Sequence, residues 1–193
     1  RRLNGLNLLG RYTRDLGNGS QAQLQAYFDR TERDQPGSVR ETLDTWDLEF
    51  QHLSKPLASH QLLWGAGYRS SNDEVTNISP TLAFYPAHKR LKLWNLFAQD
   101  EIQVAQRVKL TLGLKAEHNV YSGTELLPNA RLAWEVAPNQ LLWAAASRTA
   151  RAPSRIDIDL YSPRTPPFTA LNGGPNFEAE VARVYELGYR AQP

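Results

Sequence analysis

Apolar residues recur at every second position along most of this chain. In residues 21–30, Ala22, Leu24, Ala26 and Phe28 alternate with Gln21, Gln23, Gln25, Tyr27 and Asp29. A helix would mix the two sets, whereas a strand sends them to opposite faces. The alternation returns in 45–51 (Trp46, Leu48, Phe50), 61–69 (Leu62, Trp64, Ala66, Tyr68), 108–117 (Leu110, Leu112, Leu114, Ala116) and 131–136 (Leu132, Trp134, Val136). Further strands are predicted over 3–14, 91–104, 140–149 and 181–191. In the last two, 141, 143 and 145, and then 185, 187 and 189, are phased onto the apolar face. That face carries no charged residue at any assigned position, whereas charge is frequent on the opposite one.

The connections predict a direction. Tight turns (Gly17-Asn18-Gly19-Ser20, Ser54-Lys55-Pro56, Ala105-Gln106, Ala137-Pro138-Asn139) alternate with longer links over 32–40, 70–90, 119–125 and 149–180. Short turns at one end and long loops at the other distinguish a transmembrane barrel from a symmetric sandwich. All five Trp residues fall on the apolar face in this phasing. Trp46 and Trp94 lie toward the long loops, and Trp64, Trp134 and Trp143 toward the short turns. Indole rings at two levels suit the two membrane–water interfaces. The competing reading is a soluble β-sandwich, for example a carbohydrate-binding one, with the apolar face as its core.

Composition conceals this pattern. With 22 Lys+Arg, 20 Asp+Glu, 41% hydrophobic residues and 22% charged ones, the average is that of an ordinary soluble domain. A net charge of +2 gives no field for nucleic acid. No apolar run approaches the roughly 18–20 residues of a membrane helix. Cys and Met are both absent, so disulfides and thiolate chemistry are excluded. The start at Arg1, without a leader, suggests a piece of a longer chain. No catalytic constellation, cofactor motif or metal-ligand spacing is present among the residues. Asp157 and Asp159 are expected on one face of a solvated extended segment.

Several stretches, in order, resemble the barrel domain of TonB-dependent outer-membrane receptors. They are Leu96-Phe97-Ala98-Gln99-Asp100-Glu101-Ile102, Leu110 to His118, Leu127-Pro128-Asn129-Ala130-Arg131-Leu132-Ala133-Trp134, and Ser147-Arg148-Thr149-Ala150-Arg151-Ala152-Pro153. Gly174 to Glu180 followed by Tyr185-Glu186-Leu187-Gly188-Tyr189-Arg190 completes the set, departing from the family pattern at Pro175 and Phe177. The resemblance implies an all-β fold: an antiparallel up-and-down meander of about nine strands, part of a larger transmembrane β-barrel. Residues 1–193 would be a partial barrel domain, with the plug and the remaining strands outside it. It also implies a bacterial outer-membrane location, lipid around the wall and no enzymatic activity. The whole protein would take up a small-molecule metal chelate (a ferric siderophore) or cobalamin, energised by TonB through the plug segment. A passive porin, an adhesin-type barrel and an outer-membrane hydrolase are the alternatives, the last lacking a nucleophile.

Guanidinium groups bind the carboxylate or catecholate oxygens of anionic chelates in fork geometry. Arg148, Arg151 and Arg155 are therefore the first candidates for ligand contact, with Arg148 expected on the lumen face. Pairing with carboxylates such as Glu117 or Glu135 is the structural alternative. Phe84, Tyr85, Tyr161 and Phe168, in the long loops, and His88, near that end, complete the set. Nine up-and-down strands leave the first and last parallel, so an open sheet is expected. A tenth strand around Arg155–Tyr161 would allow closure.

Overall fold

The structure is a computed structural model, and it describes residues 1–162, 170–171 and 173–192. Among the described residues eleven strands form: β1 (Arg2–Gly17), β2 (Ser20–Gln35), β3 (Val39–Ser54), β4 (His60–Asn77), β5 (Ala83–Phe84), β6 (His88–Ala105), β7 (Val108–Asn119), β8 (Gly123–Ala137), β9 (Gln140–Arg151), β10 (Leu160–Tyr161) and β11 (Glu180–Ala191). One short helix, α1 (Arg155–Asp159), interrupts the last long loop. Nine strands make one antiparallel sheet in the order β1-β2-β3-β4-β6-β7-β8-β9-β11. β1 and β11 are its two edges, so the sheet is open. This is the open nine-strand sheet expected from the sequence, and no tenth strand from Arg155–Tyr161 joins it. Arg155–Asp159 is helical instead, and β10 pairs only with β5.

The strands run well past the segments that alternate. The 45–51 segment lies inside β3, and much of the expected 32–40 loop is ladder, because Glu32↔Thr42 and Asp34↔Arg40 are paired. Alternation fades where both faces become polar, but backbone hydrogen bonding does not depend on side chains. The nine strands of this sheet are 12 to 18 residues long, against the roughly 9–11 that a tilted span requires. At the long-loop end, four segments connect the sheet strands: 36–38, the 78–87 segment with β5, 120–122, and the 152–179 segment with α1 and β10. At the other end the β1–β2 connection is a two-residue turn, with Asn18 and Gly19 at φ 53° and 72°. This is the mirror-image geometry that suits strand twist and favours Asn-Gly.

Residues paired across an antiparallel ladder point to the same face. Leu8↔Phe28↔Trp46 and Tyr68↔Trp94↔His118 form two rows on the apolar side. Leu110↔Leu132 and Leu112↔Ala130 continue that face through β7 and β8. β9 reverses the expected phase. Leu132 pairs with Ala144 and Trp134 with Leu142, so the even positions of β9 carry on the apolar face. Trp143 therefore lies on the polar face, over Gly188, where an added Cβ would come within 2.3 Å of the indole. Four of the five Trp residues keep their expected face. The sequence Leu141-Leu142-Trp143-Ala144-Ala145-Ala146 is apolar at both parities, so periodicity alone does not set its phase. The register of the β8–β9 hairpin, including its shift between Glu135 and Ala137, does.

The apolar face is not packed under a second layer. Leu8, Leu24, Leu48, Leu96, Leu112, Leu114 and Leu187 are all exposed. Among the described residues only Val75, Ala83 and Leu160 are buried hydrophobics, and none lies in the middle of the sheet. A soluble sandwich would cover such a face, so this sheet presents it to an apolar surrounding. The opposite face is joined by polar contacts: Arg69 Nε donates to Asp47 Oδ2 at 2.8 Å, Thr45 and Ser71 hydroxyls lie 2.9 Å apart, and Lys115 pairs with Glu117 at 2.6 Å.

Candidate functional site

The longest connection turns back over the sheet through α1. Ser154 caps this helix. Its hydroxyl lies 3.4 Å from the Asp157 amide, and the Asp157 carboxylate accepts from the Ser154 amide at 2.8 Å. This reciprocal capping box explains why a five-residue segment is helical after Pro153. The Ser154 amide and, second to it, the Ser154 hydroxyl, which donates to Asp157 Oδ2 at 2.8 Å, hold the Asp157 carboxyl below the usual carboxylate range.

One turn of α1 places Arg155 and Asp159 together at i and i+4. Below them, Asp73 of β4 stands directly opposite Lys89 of β6 on the polar face. The helix matches this pair with opposite charges. Arg155 Nη1 lies 2.7 Å from Asp73 Oδ2, and Lys89 Nζ donates to both Asp159 oxygens at 2.8 and 2.9 Å. Tyr121, from the β7–β8 turn, donates its hydroxyl to Asp159 Oδ2 at 2.8 Å, and its ring sits under Lys89 Nζ at 4.4 Å. Arg155 also donates to the Pro86 carbonyl and lies over the Phe84 ring at 5.1 Å. Asp73, Arg155 and Asp159 are buried, at 5%, 7% and 3% exposure. Burial, followed by the Asp159 contact, pushes the Tyr121 phenol well above its ordinary value.

This four-charge cluster joins three connections to two neighbouring strands. The short β5–β10 ladder and the Tyr85 amide, which donates to the Asp159 carbonyl at 2.8 Å, extend it. The cluster is charge-balanced but not fully hydrogen-bonded. Asp73 Oδ1 and Arg155 Nε and Nη1 make no aligned hydrogen bond, so Arg155 and Asp73 interact chiefly as an ion pair. A cavity of about 310 Å3 lies beside it, lined by Arg69, Ser71, Leu93, Tyr121, Pro153 and Arg155 among others.

The structure brings some of the sequence-derived candidates together and separates others. Phe84, Tyr85, Arg155 and Tyr161 converge, with the Tyr85 and Tyr161 rings 5.9 Å apart. Arg155 is held by ion pairs with Asp73 and Asp159 inside the cluster. Arg151 pairs with Glu180 at the exposed end of the β9–β11 ladder, at 2.7 Å. Arg148 is corrected in its face: it is opposite Arg183, in line with Ala144 and Ala146 on the apolar side. Its partner is Glu125, at 2.6 Å, rather than Glu117 or Glu135. His88 also lies on the apolar side, opposite Glu74, with Nε2 2.9 Å from Asn72 Oδ1. Phe168 lies outside the described residues. Asp157 and Asp159 are not a solvated extended pair, because one caps a helix and the other is buried.

Asp73, Lys89 and Tyr121 escaped the sequence reading. Nothing in their local pattern distinguishes them, since their roles depend on register and on a helix arriving from 70 residues away. The helix itself had a signal, Ser-x-x-Asp after a proline, which is the start of a capping box. Among the described residues no group of three or more His, Asp or Glu is placed to hold a metal ion.

An antiparallel sheet with one exposed apolar face, one polar face and loops gathered at one end is the wall of a transmembrane β-barrel. Comparison with known proteins makes this specific: residues 2–193 match the family described as TonB dependent receptor-like, beta-barrel, and the chain belongs to it. That membership places it in the bacterial outer membrane. The fold is similar to the siderophore receptor PirA from Pseudomonas aeruginosa, with TM-score 0.75 and 16% identity over 98% of this chain and 36% of that one. It is also similar to a ferric enterobactin receptor mutant from Pseudomonas aeruginosa in complex with enterobactin, with TM-score 0.74, 15% identity and coverage of 99% and 33%. A third similar structure is the copper transporter OprC, with TM-score 0.70, 13% identity and coverage of 98% and 36%. The chain spans about a third of the length of these structures. No curated protein sequence matches it.

Proposed function

We propose that this chain is a wall segment of a larger barrel whose whole protein imports a metal chelate, such as a ferric siderophore, or cobalamin, with energy relayed by TonB. The observation that carries this reading is the family match along residues 2–193. The unpaired edges at β1 and β11, and the one-third coverage of the similar structures, support further strands and a plug elsewhere in the protein. No bond-making chemistry is assigned to the segment. Its role is to hold the binding loops in place above a polar wall.

Within that reading, the ligand-facing groups are Tyr85 and Tyr161, which form one ring pair in the gathered loops, and Arg151 at the top of β9. Phe84 and Arg155 position these loops from beneath. Arg148 and His88, on the other face, are assigned lesser roles, and Phe168 belongs to the same candidate set. The test is uptake of radiolabelled iron chelates and of cobalamin by a strain lacking the gene, complemented with the full-length protein. Uptake of one class that depends both on the protein and on TonB supports the proposal. Uptake that persists without TonB would replace it with a passive channel.

A further inference from the structure

The polar face has a cavity at the end opposite the gathered loops. Its volume is about 320 Å3, and it spans the short-turn ends of β6 to β11. Lys109, Glu135 and Leu141 line it from β7, β8 and β9, and Arg190 of β11 lies opposite Leu141. Arg107 enters from the β6–β7 turn. Two of these turns are fastened to the neighbouring chain by backbone hydrogen bonds. The Glu135 amide donates to the Arg107 carbonyl at 2.9 Å, and the Gln192 amide to the Asn139 carbonyl at 3.0 Å. The Gln103 side-chain amide donates to the Ala105 carbonyl at 2.6 Å and closes the β6–β7 turn from within. The rim is therefore held in place before anything binds, which leaves little ordering to oppose a ligand.

The charges in this cavity are not matched to one another. Lys109 is taken by Glu101, at 2.8 Å. The Arg107 and Arg190 guanidiniums and the Glu135 carboxylate have no hydrogen-bond or ion-pair partner among the described residues. Glu135 and Arg190 are both paired with Leu141, one on each side, so their backbones stand two strand spacings apart, about 10 Å. Between them is a gap over the Leu141 side chain. A ligand with one positive and one negative group suits this gap, whereas a dianion would meet Glu135 and a dication the two guanidiniums. The smallest such ligand is a free α-amino acid group, with its ammonium and its carboxylate on one carbon. A guanidinium fork takes the carboxylate, and Glu135 takes the ammonium.

We propose that this rim cavity binds a free α-amino acid group, with Glu135 on its ammonium and Arg190 and Arg107 on its carboxylate. The short turns of an outer-membrane barrel face the periplasm. The ligand therefore comes from that compartment, as a free amino acid or as part of a cell-wall peptide. The site uses none of the residues assigned to chelate uptake and does not depend on what is imported. Each of the two charge-assisted contacts contributes about 10-fold to binding.

The test is isothermal titration calorimetry of the full-length protein in neutral detergent. The probes are alanine, which carries both charges, N-acetylalanine, which keeps only the carboxylate, and alaninamide, which keeps only the ammonium. Binding of alanine that is weakened about 10-fold by either cap supports the proposal. Equal binding of the three probes overturns it. So does the absence of alanine binding up to millimolar concentration, since another part of the protein, such as the plug, would then fill the cavity. Glu135→Gln should lose only the preference over N-acetylalanine, and Arg190→Gln only the preference over alaninamide, with heat-modifiable migration unchanged. Both preferences surviving in both folded variants would place the contact elsewhere and overturn the assignment. If neither variant folds, the capped probes on the wild type still decide. A cell-wall stem tripeptide separates the two sources. Tighter binding than alanine assigns the ligand to the wall, and weaker binding assigns it to free amino acids; both support the shared chemistry.

Discussion

Replacing Asp159 with Asn removes one charge from the loop cluster without changing its shape. In the native arrangement that carboxylate accepts two hydrogen bonds from Lys89 and one from Tyr121, and lies 3.4 Å from Arg155 Nε. The variant leaves two cations facing only Asp73. Breaking a buried ion pair by removing one partner costs about 3–5 kcal/mol. Arg155 is as buried as that range assumes, but the Lys89 side chain keeps 23% exposure, and water recovers part of the loss. The lower end, about 3 kcal/mol, is the appropriate figure, equivalent to about 100-fold in an opening equilibrium. The assay is amide hydrogen exchange on the full-length protein. The amides to follow are Tyr85, which donates to the Asp159 carbonyl, Val75, which donates to Ala87, and Gly174, which donates to Asp157. All three should exchange about 100-fold faster, while the β2–β3 ladder is unchanged. Acceleration of less than about 3-fold at all three would show that the cluster does not hold the loops, against the roughly 100-fold expected for a broken buried pair. The control is Glu180→Gln, which breaks an ion pair whose side chains are 65% and 74% exposed. It should cost at most about 0.5 kcal/mol.

Four further outcomes follow from the structure. Ser154→Ala removes the cap of α1 and should destabilise that turn by about 1 kcal/mol, read from exchange at the Asp157 and Ile158 amides. Because the folded Asp157 carboxyl is lowered, its contribution is present above the ordinary carboxylate range and is lost as pH falls through the lowered value. Exchange at the Ser154 amide, corrected for intrinsic rate, should therefore quicken only in acid, and Asp157→Asn should abolish that dependence. Tyr121 has the opposite sign. Its folded value is raised, so its contribution is intact below pH 10.0 and is lost as pH climbs through the raised value. Ultraviolet titration of the wild type against Tyr121→Phe should show one phenol ionising above the ordinary range, and an unshifted difference curve would contradict the buried contact. Gly188→Val drives a side chain into the Trp143 ring and should cost about 1–3 kcal/mol, seen as a lower temperature for loss of heat-modifiable migration.

The parts legible from sequence were those in which one face is apolar and the other is not. Leu110, Leu112 and Leu114 alternate with Lys109, Thr111 and Lys115, and one strand phase follows at once. β9 lacked that contrast, so Trp143 and Arg148 were set on the wrong faces until the hairpin register decided them. The long upper reaches of β3 and β8 were missed because Arg40, Glu41 and Thr42, or Thr124 and Glu125, give no alternation above the apolar band. In β8, Pro128 obscures the strand further: the β8–β9 ladder begins only at Asn129, since proline has no amide to give. The loop cluster was the least legible part. The arginines drew attention for their chemistry, but the carboxylates that occupy them, Asp73 and Asp159 for Arg155 and Glu125 for Arg148, are assembled by topology.

The central claim is that the apolar face of this sheet, odd-numbered in β11 and even-numbered in the other sheet strands, meets lipid, and that the opposite face meets a wet lumen. The chain has no cysteine of its own, so single substitutions report cleanly where that background extends to the full-length protein. The most direct measurement places a spin label at Leu112→Cys, Thr111→Cys, Ala144→Cys and Ala145→Cys in turn, in the protein reconstituted in bilayers. Collision with oxygen is then compared with collision with a water-soluble nickel chelate. Labels at 112 and 144 should favour oxygen, and labels at 111 and 145 the nickel chelate. Uniform behaviour at all four sites, or oxygen preference at 145 rather than 144, would contradict the account.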